Sequence, residues 1–172
     1  MILLQLINNA LDKNLDVPRF DNIYISRRTQ HNPIYSKDII GEDNTKKRGN
    51  VDEDKVVDIL EDLNFHEVFG ENYTLAEKIT MFHHMKKYVT QSGAGITNTF
   101  YRKKGVIGGI GSPGLEFPDK SKHGRHQIYN RYYKNKVSIY KDTSFVDSKS
   151  IGYNNPWKIN SIDNFRKWAR DL

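Results

Sequence analysis

The sequence predicts an α/β domain built on a mainly parallel, Rossmann-like sheet with flanking helices. Three observations lead there. Short β-branched runs alternate with amphipathic helical stretches, an N/T-x-x-E signature opens two of those stretches, and a glycine-rich turn follows one of the runs. Strands alternating with helices of this length imply βαβ units, whose right-handed crossovers make neighbouring strands parallel. At 172 residues the chain has room for one such domain but not for two full Rossmann-type halves.

The elements follow in order. Residues 1–11 carry apolar positions broken by Gln5, Asn8 and Asn9, as in an amphipathic helix. They lack the basic start and small-residue cleavage site of a signal peptide. Asp16-Val-Pro-Arg19 is a breaker, and Asn22-Ile-Tyr-Ile-Ser26 has the composition of a short strand with Arg27 and Arg28 at its carboxyl end. Pro33, Gly41, Asn44 and Gly49 punctuate a long loop from Thr29 to Gly49, which exits through the basic Lys46-Lys-Arg48. Asn50 with Glu53 reads as a cap, and Val56, Ile59, Leu60 and Leu63 follow at helical spacing.

A strand is expected over Phe65 to Phe69. The capping box Thr74 to Glu77 then opens a helix running to about Tyr88, with Leu75, Ile79 and Phe82 toward the sheet. Tyr88 to Gln91 is a strand leading into Ser92-Gly-Ala-Gly95, a short helix begins at Thr97, and Gly105 to Ile110 is another strand. Beyond Pro113 the pattern weakens into a basic stretch from Lys120 to His126 and a tyrosine-rich segment from Tyr129 to Tyr140. After a break at Gly152 to Pro156, a final helix is capped by Ser161, with Ile162, Phe165 and Trp168 on one face. The expected division is therefore 1–20 as helix and linker, 21–118 as the Rossmann-like domain, and 119–172 as a basic extension ending in a helix packed on it.

Composition excludes several classes. The hydrophobic and charged fractions, 37% and 28%, are those of a folding chain. Without cysteine there are neither disulfides nor thiolate metal sites. No run approaches the roughly 20 apolar residues needed to cross a bilayer, so the expectation is a soluble, cytoplasmic protein with at most peripheral membrane contact. A net charge of +6 favours an anionic ligand, although the basic residues are dispersed among carboxylates.

The candidate chemistry lies at strand ends. Gly93 and Gly95 let backbone approach a ligand closely, and a strand-to-helix turn aims N–H groups at an anion such as phosphate. The full G-x-G-x-x-G and Walker spacings are missing, which argues against a dinucleotide site or P-loop. Arg27, Arg28 and Arg48 would complement a pyrophosphate with planar guanidinium forks. No metal site is expected. His83 and His84 are adjacent on a helix and diverge, His123 and His126 lack further ligands, and Asp52-Glu-Asp54 serves a helix first turn.

Taken in order, Ile23-Tyr-Ile-Ser-Arg-Arg28, the Arg48 to Asp54 helix start, Thr74-Leu-Ala-Glu-Lys-Ile79 and Ser92-Gly-Ala-Gly-Ile-Thr-Asn98 resemble glycosyltransferase family 61 over about residues 20 to 113. The resemblance implies a GT-B architecture of two Rossmann-like halves, of which this chain is similar to the carboxyl-terminal, donor-binding one. It implies a nucleotide-sugar donor, typically a UDP-sugar, transferred with inversion to a glycan or glycoprotein acceptor, and no cofactor. Carried over residue by residue, Arg27, Arg28 and Arg48 match the basic positions and Gly93, Ala94, Gly95, Thr97 and Asn98 the glycine-rich loop, and Ser92, which can still hydrogen-bond a phosphate or sugar, completes the expected donor-binding set. Ser92 stands where the family often has histidine, and Gly109 where it often has an acidic residue. No catalytic base is assigned. A separate amino-terminal half would be a partner, and a noncatalytic sugar-nucleotide-binding or assembly module is the alternative. Nucleic-acid binding through Lys120 to Arg131 ranks third.

Overall fold

The computed structural model describes residues 2–28, 49–91, 93–101, 104–113, 136–148 and 155–172. Helix α1 (Ile2–Leu11) precedes β1 (Asn22–Ile25), α2 (Glu53–Asp62), β2 (His66–Val68), α3 (Leu75–His84) and β3 (Lys87–Gln91). A 3-10 segment (Ala94–Tyr101) leads to β4 (Val106–Ile110) and β5 (Lys136–Tyr140), and the chain ends with β6 (Thr143–Phe145), β7 (Trp157–Ile159) and α4 (Ile162–Arg170). The main sheet runs β2-β1-β3-β4-β5 with every neighbouring pair parallel, as the alternating pattern predicts. β6 and β7 form a separate antiparallel pair.

Side-chain alternation along β1 divides the core into two layers. Tyr24 joins Val56, Val57 and Leu60 of α2 and Phe165 and Ala169 of α4. Ile23 and Ile25 join Met81 and Phe82 of α3 on the opposite face. Helix α1 lies outside that second layer, with Ile7 and Ala10 against Ile79. Two neighbours thus share the apolar face of α3, which sets its rotation. Ala76 packs toward α1 and Leu75, expected to face the sheet, is 49% exposed.

Element bounds shift for identifiable reasons. Helix α3 ends at His84 and not near Tyr88, because Met85 is extended (φ −61°, ψ 145°) and buried. The Lys86 and Lys87 amides then both donate to the Asp21 carbonyl, which draws the chain into register beside β1. Thr74 and Glu77 do form the predicted capping box. At α2 the expected Asn50 cap is replaced: Asp52 is the N-cap residue, without a side-chain cap bond. Asn50 is instead bridged to Trp157, while Val51 N–H donates to the Trp157 carbonyl and Trp157 N–H to Gly49. The short helix expected from Thr97 is a 3-10 segment that already starts at Ala94.

The largest departure concerns the end of the chain. Its described part does not sit on a finished domain as an extension, because β5 is the fifth strand of the same sheet and Tyr140, Trp157, Ile159, Phe165 and Leu172 belong to the core shared with α2. Ser161 caps α4 as predicted, its Oγ accepting from Asn164 N–H at 3.2 Å. Helix α4 rests directly on the β4 backbone at Gly108. A Cβ there would lie 2.8 Å from Leu172 Cδ1, 3.0 Å from Val89 Cγ2 and 3.1 Å from Trp168 Cη2. Gly108→Ala is therefore expected to destabilise the fold by about 1–3 kcal/mol through overpacking, read as a lowered urea midpoint.

Among the described residues no helix is long and apolar enough to cross a membrane. The loop of residues 29–48, the basic stretch from Lys120 to His126 and the tyrosines from 129 to 133 lie outside the described residues.

Candidate functional site at the carboxyl ends of β1 and β3

In the order β2-β1-β3-β4-β5 the chain moves to one side of β1 and then returns to the other. That reversal falls between β1 and β3, and in open parallel sheets ligands bind outside the strand carboxyl ends at such a point. The register pairs Ile25 with Thr90. The described residues that leave the two strands, Ser26 to Arg28 and those from Gly93 onward, thus emerge side by side.

A buried carboxylate organises the first exit. Glu53, 4% exposed in the first turn of α2, accepts on Oε1 from Arg27 N–H (2.7 Å), Tyr24 Oη–H (2.8 Å) and Ser26 Oγ–H (3.2 Å). Gln91 Nε2 donates to Tyr24 Oη at 2.9 Å, which ties the end of β3 into the same network. Glu53 Oε2 and Asn50 Nδ2, both buried, have no hydrogen-bond partner among the described residues. Burial pushes the Glu53 carboxyl above its ordinary value, against the pull of the Arg27 amide and the Tyr24 and Ser26 hydroxyls. Tyr24, fully enclosed beside that carboxylate, is raised for the same reason.

Arg28 is held as well. Its Nε donates to Glu67 Oε1 at 2.8 Å, Nη2 reaches Glu67 Oε2, and Nη1 meets Asp54 Oδ1 at 3.0 Å. The fork that the sequence offers to a pyrophosphate is thus turned onto two carboxylates, and Glu67 is the main cause of its raised pKa. Arg27 is half-buried at the same exit. Arg48 and Ser92 lie outside the described residues.

The second exit is a rigid turn. Gly93 has φ 143°, which disfavours any side chain. A Cβ on Gly95 would lie 2.5 Å from Thr90 Oγ1, so only glycine lets the segment fold back onto the end of β3. Tyr88 Oη–H donates to the Gly95 carbonyl and accepts from Asn98 Nδ2 at 3.4 Å. Ile96 is buried as an anchor, Thr97 is exposed, and Thr99 Oγ–H bonds the Ile96 carbonyl at 2.7 Å. Ala94 is the first residue of the 3-10 segment, whose leading N–H groups have no carbonyl within the segment to bond.

The remaining sequence candidates have structural partners. Asp52 accepts from Ile159 N–H and Lys55, and Asp54 takes Arg28, as befits a helix first turn. His83 Nδ1 lies 2.9 Å from the Tyr101 carbonyl, its ring edge-on to His84. Among the described residues no three His, Cys, Asp or Glu side chains gather as a metal site would require.

These features define a doubly wound α/β domain whose first and third strands end side by side at a topological switch point. The chain belongs to glycosyltransferase family 61: the family model described as Glycosyltransferase 61 matches residues 3–107. No curated protein matches the chain. The match takes in α1 and ends within β4, so β5 and α4 complete the sheet and core beyond it.

The sequence reading missed Glu53 as an organiser, having used it as a capping partner for Asn50. One signal was present: Glu53, Val56, Val57 and Leu60 lie at i, i+3, i+4 and i+7, so a carboxylate occupies the buried stripe of α2. Tyr24, Tyr88 and Gln91 carried no comparable signal, because aromatic and polar residues at strand ends are common in any sheet.

Proposed function

We propose that a crevice at this switch point binds the pyrophosphate of a nucleotide sugar, a UDP-sugar, and that the protein transfers the hexose or pentose with inversion to a hydroxyl of a glycan or glycoprotein. The observation that carries the reading is the pairing of two loops at one switch point: the exit of β1 with Arg27 and the Gly93 to Asn98 turn after β3. Family membership supports it. Gly93 and Gly95 allow close backbone approach, the leading N–H groups of the 3-10 segment meet phosphate oxygens, and Arg27 adds charge. Arg28 acts in this reading as a brace between β1, β2 and α2.

UDP is then the leaving group, departing through its β-phosphate oxygen. Donors already aimed at its oxygens stabilise the charge that develops as the glycosidic bond breaks, and this needs no metal or cofactor. Glu53 is sealed behind the β1 exit and does not reach an acceptor hydroxyl, so the general base that inversion requires comes from elsewhere. A GT-B arrangement places the acceptor contacts on a facing amino-terminal half, which would be this domain's partner.

Calorimetric titration with UDP and UDP-sugars tests the reading. Saturable binding tighter than millimolar is expected, and a folded protein that binds none of them would sink the idea. Gly95→Ala, which drives a methyl group into Thr90, should weaken UDP binding at least tenfold, a loss of about 1.4 kcal/mol, while circular dichroism stays unchanged.

A further inference from the structure

Apart from the crevice, the described residues form a cavity of about 440 Å³ lined by Phe20, Glu61, Asn64, Phe65, His66 and Glu67. Phe65 belongs to the core layer on the α2 side and Phe20 packs on the α3 side. The cavity therefore crosses the outer edge of β2, the terminal strand of the sheet.

Its chemistry is specific. Phe20 and His66 stack with centroids 4.1 Å apart and planes 23° from parallel. His66 is exposed and Phe20 half-buried, so a flat aromatic surface backed by the core faces solvent. The negative ring face of such a surface attracts the weakly positive C–H hydrogens on one side of a pyranose. Around it the exposed Glu61 and Asn64, with Glu67, supply carboxylate acceptors and an amide that both donates and accepts, a set that matches sugar hydroxyls.

Other ligands fit less well. Glu61 repels an anion, and because Glu67 is neutralised by Arg28 the lining has only one uncompensated carboxylate to hold a small cation. A peptide strand would find only three residues of edge in β2, and short edges limit such pairing.

We propose that this cavity is a second, carbohydrate-binding site that takes a neutral pyranose of the acceptor glycan; its assignment to an acceptor rests on the transferase reading above. Phe20, Asn64 and Phe65 precede β1 and β2, so the cavity lies toward the amino ends of these parallel strands, and Glu67, which lines it and also grips Arg28 at the β1 exit, links it along the β2 edge to the donor crevice at the carboxyl ends.

The test is a titration of ¹⁵N-labelled protein with lactose, cellobiose and N,N′-diacetylchitobiose at millimolar concentration, with UDP titrated separately. At least one disaccharide should produce saturable shifts at the Asn64, His66 and Glu67 amides. His66→Ala and Glu61→Gln, both exposed and outside the core, should each weaken that binding about tenfold or more and leave the UDP response unchanged. The proposal is overturned if the folded protein shows no saturable shift with any of the three, or if shifts persist undiminished in both variants. Shifts with UDP alone would remove this cavity and keep the donor crevice. Shifts with a disaccharide alone would keep the cavity and remove the donor reading.

Discussion

Phe165→Ala is expected to cost about 3–5 kcal/mol of stability, the largest loss of any substitution considered, and to lower the whole unfolding transition as one step. Phe165 is fully buried in α4 and touches the layer formed by Tyr24, Val56, Leu60 and Val89. Its ring meets Tyr140 edge-on at 5.3 Å and leans on Trp168 at 5.4 Å. Trp168 Nε1–H in turn donates to Ser138 Oγ of β5 at 2.9 Å, so α4, β5 and the centre of the sheet are one packing unit. Loss of the ring leaves a cavity at that junction. Urea unfolding followed by tryptophan fluorescence and by far-UV circular dichroism should give coincident transitions. Two separated transitions, with the sheet surviving the loss of α4, would contradict the shared core.

Glu53→Ala is the second large effect. It leaves the Tyr24 hydroxyl, the Ser26 hydroxyl and the Arg27 amide without their common acceptor, in a place that water reaches poorly. A loss of about 3 kcal/mol follows if each orphaned donor costs near the lower end of the usual range. Glu53→Gln retains a carbonyl oxygen where Oε1 stands and should cost no more than about 1 kcal/mol. The pair separates the acceptor role from the charge. If alanine and glutamine variants are equally destabilised, the three-donor reading is wrong.

The same carboxyl predicts a pH dependence. Its folded-state pKa lies above the ordinary carboxylate value because burial disfavours the charge. Between the two values the native state therefore holds more protons than the unfolded state, and stability falls as pH rises through that window. Relative to Glu53→Gln, the parent protein should lose stability on going from acid toward neutral pH. Chemical denaturation of both proteins across that range checks the sign, and a difference that grows with pH in the parent's favour would contradict it.

Much of the glycine turn after β3 was legible in the sequence alone. Gly93 and Gly95 advertise a turn because positive φ and close backbone approach are local properties, written in residue type. The Thr74 and Ser161 caps are equally local, since each needs only its own next turn. Helix α2 showed itself through its apolar spacing, and β1, β3 and β4 through β-branched runs bounded by breakers. β5 was illegible because Lys136, Ser138 and the neighbouring tyrosines hide the alternation of a half-exposed strand whose burial is completed by α4.

By itself, then, the sequence determined the α/β class, the parallel sense of the sheet and the glycine turn, since periodicity and backbone freedom act over a few residues. Only the tertiary structure decided that Glu53 would serve Tyr24, Ser26 and Arg27, that Arg28 would close on Glu67 and Asp54, and that the end of the chain would become core. Each of these joins groups separated by tens of residues, and their energies depend on burial and on the partner that arrives. No local pattern records that arrival, because it is the packing of one element on another that removes the water.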